Sequence, residues 1–85
     1  MNIIQKYPLK LVDHQEIEVY SGAQIIYAGL DDCKTPCIWA IVNTDFMKHK
    51  IPIWIVESGK SVPKMGFSGY LGAFAKEYNM WFIFG

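Results

Sequence analysis

Apolar and polar residues alternate along this chain, and a period of two leaves a polypeptide few choices of fold. In Gln15-Glu16-Ile17-Glu18-Val19-Tyr20, Ile17 and Val19 project to one side and Glu16 and Glu18 to the other. Successive side chains of a strand point to opposite faces, so this stretch reads as a strand with one face in a core and one in water. No segment shows a convincing helical period or a capping box. The expected fold class is therefore all-β, with the function carried on the surface of a small β domain.

The remaining strands follow from composition and breakers. Ile3 to Leu9 is a first strand, and Pro8 places its end at an edge. Ser21-Gly22 is a tight turn, because glycine takes positive φ without a steric cost. Gln24 to Leu30 is the third strand, with β-forming Ile25, Ile26 and Tyr27 at its centre. The polar run 31–36 is a loop ending at Pro36. Cys37 to Val42, six apolar residues in a row, is a central strand buried on both faces. Residues 43–50 form a longer connection with room for one helical turn. Ile51 to Val56 is the fifth strand, in which Pro52 demands an edge or a strand start. Residues 57–68 hold Gly59, Pro63 and Gly66 and form the longest irregular segment, the kind of loop that tends to carry function. Gly69 to Ala75 and Met80 to Phe84 are the last two strands, with Gly72 marking a bulge and Glu77-Tyr78-Asn79 turning the chain. About seven short strands at near-regular spacing predict an antiparallel sandwich or barrel, and residues 1–85 form a single domain.

So short a chain buries only about 60% of its unfolded surface. Yet 52% of its residues are apolar and 15% aromatic. That excess predicts an aromatic core together with apolar surface lying against a second copy, so a homo-oligomer is expected. The C-terminal run, apolar on both faces, belongs either at the centre of a sheet or in a subunit contact. Trp81, Phe82 and Phe84 are the candidate interface residues.

Charge excludes one large class. The formal net charge is zero, all eight cations are lysines, and arginine is absent. Arginine is the preferred residue for bidentate reading of phosphate and guanine, so a duplex nucleic-acid reader is not expected. The N-terminal residues lack an apolar stretch of signal-peptide length, and no run approaches a membrane span. Cys33 and Cys37 do not make a disulfide framework, and His14 and His49 are not spaced to complete a zinc site. Cys33 is expected as a loop thiol, Cys37 as a core thiol, and no metal or cofactor is expected.

Four motifs invite chemistry. Ser58-Gly59-Lys60-Ser61 resembles the end of a phosphate loop, but the glycine required five positions before Gly59 is Trp54, and no helix follows. What survives is a glycine turn with amides, a hydroxyl and a lysine, able to hold an anion. Lys48 and Lys50 precede the fifth strand and Lys60 and Lys64 follow it. As a cationic lip they would face a phosphate-bearing ligand, with Trp54, Tyr70 or Phe67 stacking on a base; as ordinary solvated lysines they would guard strand edges. Asp13-His14 has no serine or second histidine placed to complete an acid–base relay, and Glu16 and Glu18 are the wet face of a strand. An enzyme is not expected.

Ile4-x-Lys6-Tyr7-x-Leu9, Asp13-x-Gln15-x-Ile17, Gly22-Ala23-x-Ile25 and, most specifically, Thr35-Pro36-Cys37-Ile38-Trp39-Ala40-Ile41-Val42-Asn43 resemble a family of short phage and prophage proteins of unknown function. The resemblance runs on through Val56-x-Ser58-Gly59 and Tyr70-Leu71-Gly72. The family reads a Gly-Thr-Gly-His-like stretch where this chain has Glu57-Ser58-Gly59-Lys60. The resemblance implies a viral accessory protein in the cytoplasm of an infected cell, of the kind that counters host defences. Such proteins either sequester a signalling nucleotide or block a defence protein. The expectation is a non-enzymatic binder of a small phosphate-containing, nucleotide-like ligand, with Lys48, Lys50, Trp54, Ser58, Gly59, Lys60, Ser61, Lys64 and Phe67 around it. The alternative is a protein–protein inhibitor acting through an aromatic surface.

Overall fold

The computed structural model describes residues 1–62 and 69–85. Seven antiparallel strands form two sheets packed face to face. They are β1 (Asn2–Pro8), β2 (His14–Tyr20), β3 (Gln24–Leu30), β4 (Pro36–Asn43), β5 (Lys48–Glu57), β6 (Tyr70–Lys76) and β7 (Asn79–Phe84). One sheet has the order β1-β4-β3 and the other β2-β5-β7-β6. The fold is thus a sandwich. Among the described residues no helix forms, and none is long and apolar enough to cross a membrane.

The alternation in β2 does what its chemistry requires. Val19 is buried, Ile17 packs against the core, and Glu16 and Glu18 are exposed. Leu9, just after β1, and Ala28, Ile38, Ile53, Ile55, Phe74 and Ile83 from the other strands fill the space between the sheets. Ile38, Ile53 and Ile83 are fully buried. β-Branched side chains suit this role because their restricted χ1 packs well on a pleated surface.

Two expectations change. The connection after β4 is a short turn, with the Phe46 amide donating to the Asn43 carbonyl, and no helical turn forms there. β5 starts at Lys48, so Lys48, His49 and Lys50 pair with Tyr20, Val19 and Glu18 within a ladder. Pro52 is therefore not at the strand start but at a local edge of the sheet. It is tolerated because β7 pairs only with Trp54 to Glu57, leaving β5 flanked by β2 alone at that point. Ser21-Gly22 is the expected turn, with Gly22 at φ 78°. It passes the chain from one sheet to the other, since β2 pairs with β5 and β3 with β4.

β4 is the centre of its sheet, and β7 lies between β5 and β6. The register of β6 shifts between Tyr70 and Gly72, which is the expected bulge. The β6–β7 hairpin closes through Glu77 and Tyr78, both at positive φ (55° and 63°). That is the geometry a two-residue turn needs to match strand twist, here without the usual Asn-Gly pair.

Gly72 fixes the distance between the sheets. A Cβ placed there would lie 2.4 Å from the Ala28 carbonyl oxygen and 2.8 Å from the Ala28 Cβ. No rotamer change relieves a clash with backbone, so one sheet would have to move. Gly72→Ala is expected to lower stability by at least ~2 kcal/mol, the upper part of the overpacking range, measured as a shift in the urea midpoint.

Candidate functional site

A wide concavity lies at the end of the sandwich where β5 and β7 part from β2. It measures about 490 Å³ and is lined by Leu11, Asp13, Ile55, Val56, Glu57, Lys60, Ser61 and Trp81. Pockets that hold small molecules run from about 300 to 1,000 Å³. One wall is the β1–β2 connection, tied down where Ile55 N–H donates to the Asp13 carbonyl. Another is the turn after β5, where Lys60 N–H donates to the Glu57 carbonyl at 3.0 Å and Gly59 takes φ 93°.

The polar rim is held in place. Asn79 Nδ2 donates to Glu57 Oε2 at 2.7 Å. Trp81 stacks on Phe74, rings 6° from parallel with centroids 6.3 Å apart, and its Nε1 donates to the Lys76 carbonyl. The indole is fixed by packing before any ligand arrives. Among the described residues the rim carries, by formal charge, one ammonium, Lys60, and two carboxylates, Asp13 and Glu57.

The structure divides the residues singled out from sequence. Lys60 and Ser61 line the cleft, and Ser58 and Gly59 form the turn beneath it. Lys48 and Lys50 lie at the opposite end of β5, paired with Tyr20 and Glu18, so they do not join Lys60 in one cationic lip. Lys48 instead sits 5.0 Å above the Tyr20 ring. The Ser58 and Lys60 amides are both spent on backbone carbonyls, of Met80 and Glu57, so neither is open to an anion. Trp54 is on the outer face of its sheet, its ring 4.9 Å from that of His14. Lys64 and Phe67 lie outside the described residues.

The candidate interface residues split as well. A period of two puts Trp81 with Ile83 on the inner face and Phe82 and Phe84 on the outer. Phe84 meets Tyr70 edge-on at 6.0 Å. Trp54, Val56, Phe82, Phe84 and Tyr70 form an aromatic band on the outer face of the β2-β5-β7-β6 sheet. Trp81, expected as an interface residue, and Asp13 and Glu57 were missed as cleft residues because the β5–β7 register pairs Trp81 with Glu57 and the Ile55 amide holds Asp13 beside them. The one signal in the sequence was tryptophan at an inward position of a strand.

A family model, a domain of unknown function (DUF7352), matches residues 1–85. The chain belongs to that family. No curated protein and no solved structure matches it.

A second cluster, Asp31, Asp32 and Cys33, has ligand-type atoms within 4.8 Å of one another. Asp31 is already committed to the fold. Its Oδ1 accepts from the Thr35 and Cys33 amides, both at 2.9 Å, and its Oδ2 accepts from Lys6 Nζ at 3.1 Å. Cys37 is buried and its thiol also donates to Asp31, while Cys33 is exposed. Burial, and then the Asp31 charge, push the Cys37 thiol up, so it is a poor nucleophile.

The Thr35 amide, then Lys6 and the Cys33 amide, hold the Asp31 carboxyl below its ordinary value. A depressed carboxylate contributes stability above its unfolded pKa of about 3.9 and loses it as pH falls through the lower folded value. Asp31→Asn should therefore melt below the native protein at pH 7, and the gap should close as the melt is repeated at pH 4, 3 and 2.5.

Proposed function

We propose that this protein acts by binding, without chemistry of its own, and that it holds a small nucleotide-like ligand in the cleft at the β5–β7 end. In the phage accessory role that the sequence resembles, such binding withholds a signalling nucleotide from its host. The observation that carries the reading is the meeting of Lys60, Ser61 and the fixed Trp81 ring in one space of about 490 Å³. An indole offers a stacking surface for a base at little cost in side-chain entropy. Carboxylates such as Asp13 and Glu57 accept hydrogen bonds from ribose hydroxyls, as acidic residues do in dinucleotide sites. Among the described residues Lys60 is the one lysine at the rim, which suits a ligand with one negative charge per phosphate, such as a cyclic phosphodiester.

The test is to incubate the protein with cyclic mononucleotides and ADP-ribose, remove free ligand, and then heat. Ligand released unchanged supports sequestration; ligand returned altered makes the protein an enzyme; no retained ligand removes the cleft as a nucleotide site. Lys60→Ala is expected to weaken binding about tenfold, the loss of one charge-assisted hydrogen bond, read by calorimetry.

A second reading rests on the aromatic band. Trp54, Phe82, Phe84 and Tyr70 on one outer sheet face supply the rigid anchors on which a protein–protein inhibitor depends. The same face suits self-association, with apolar rows meeting across a two-fold axis while Glu16 and Glu18 of one copy approach Lys48 and Lys50 of the other. Light scattering on the eluting protein should give twice the mass of one chain, and Phe82→Glu should halve it. A native chain eluting as a monomer would argue against the shared face.

A further inference from the structure

A smaller cavity lies between the sheets at the opposite end of β5. It measures about 110 Å³, and Ile17, Val19, Ile25, Ile38 and Ile51 make most of its wall. Tyr7 and His49 are the polar side chains among its lining residues. The Tyr7 hydroxyl is buried and has no hydrogen-bond partner among the described residues. A buried hydroxyl without a partner is uncommon in folded proteins, and each instance calls for an explanation.

We propose that this cavity is a binding site for a small, mostly apolar molecule that carries one hydrogen-bonding oxygen, of the size and kind of a phenol. Its volume is the first reason. An apolar cavity of about 150 Å³ is known to stay dry and to take benzene, so a space somewhat smaller takes one ring and little else. Its wall is the second reason. Among the described residues this lining offers, beside its aliphatic side chains, only two polar ones, the Tyr7 hydroxyl and the His49 ring, whose Nδ1 is already 3.3 Å from Ser21 Oγ, so an occupant meets mostly apolar surface. An aromatic ring with a hydroxyl fills the aliphatic part and gives Tyr7 its missing partner.

The rim is the third reason. Gly22 and Ala23, in the turn that passes the chain between sheets, line the cavity on the β2–β3 side. Larger side chains there would close it; instead Gly22 occupies a left-handed conformation that favours glycine, with the Phe46 ring 3.8 Å from where its Cβ would be. Burial also raises the Tyr7 phenol above its ordinary value, which keeps it a hydrogen-bond donor at neutral pH. This site is separate from the cleft: it uses residues 49 and 51 of β5, whereas the cleft uses residues 55 to 57.

The experiment titrates the full chain with phenol and, separately, toluene, following backbone amide signals by NMR. Phenol should give saturable shifts at Ile38, Ala40 and Ile51, and toluene should bind at least tenfold more weakly. Tyr7→Phe should abolish that preference, bringing the two within about twofold. Ala40→Val, which adds bulk inside the cavity, should weaken both and raise the melting temperature; it also serves if Tyr7→Phe does not fold. No saturable shift from either probe would make the cavity a packing void and overturn the proposal. Shifts centred on Lys60 and Trp81, or a phenol preference that survives Tyr7→Phe, would overturn it too. None of these outcomes depends on nucleotide binding in the cleft.

Discussion

The sandwich closes where Gly72 of β6 lies against the backbone of Ala28 in β3. Two sheets pack about 10 Å apart only if side chains from both interdigitate. Here the spacing is set at one point by the absence of a side chain, and Ile38, Ile53, Ile55, Phe74 and Ile83 then fill what remains. Any change in that contact would move every inward isoleucine relative to its partner. The bulge between Tyr70 and Gly72 serves the same contact, because it gives β6 the twist that carries Gly72 to the inner face.

The second constraint is the length of β5. Its ten residues exceed the span of either neighbour: β2 covers Lys48 to Trp54, and β7 covers Trp54 to Glu57. The sheet is staggered about Trp54. At each end of β5 one flanking strand is missing, and at each end an internal space opens. The cleft with Lys60, Ser61 and Trp81 occupies one corner; the apolar cavity with Tyr7 and His49 occupies the other. Strand stagger opens both spaces, and at the cleft the β1–β2 connection and the turn after β5 complete the walls.

Polar contacts do their work at the connections. Asp31 organises the β3–β4 loop by accepting from Thr35, Cys33 and Lys6, and this loop covers Cys37 on the outer side of β4. Cys37 is accordingly buried on a face that would otherwise meet water, while Ile41 on the same face of β4 is 37% exposed. The apolar reading of β4 on both faces holds for its first half for that reason and relaxes in its second. Glu57 and Asn79 perform a similar task at the cleft, binding the end of β5 to the start of β7.

Local residue chemistry by itself determined the strands. The alternation of β2, the β-branched centre of β3, the glycine turns and the order of seven strands were all legible, because a side chain's direction along a strand depends only on its neighbours in the chain. The start of β5 was hidden because Lys48-His49-Lys50 reads as a solvated connection until β2 is known to lie beside it. Tertiary structure alone decided which strands share a sheet, and with it the register that separates Lys48 from Lys60 and brings Trp81 to Glu57. Pairing joins residues such as Glu57 and Trp81 that lie far apart in sequence, and the free energy that selects their register is the burial of the whole inner face, which no single segment encodes.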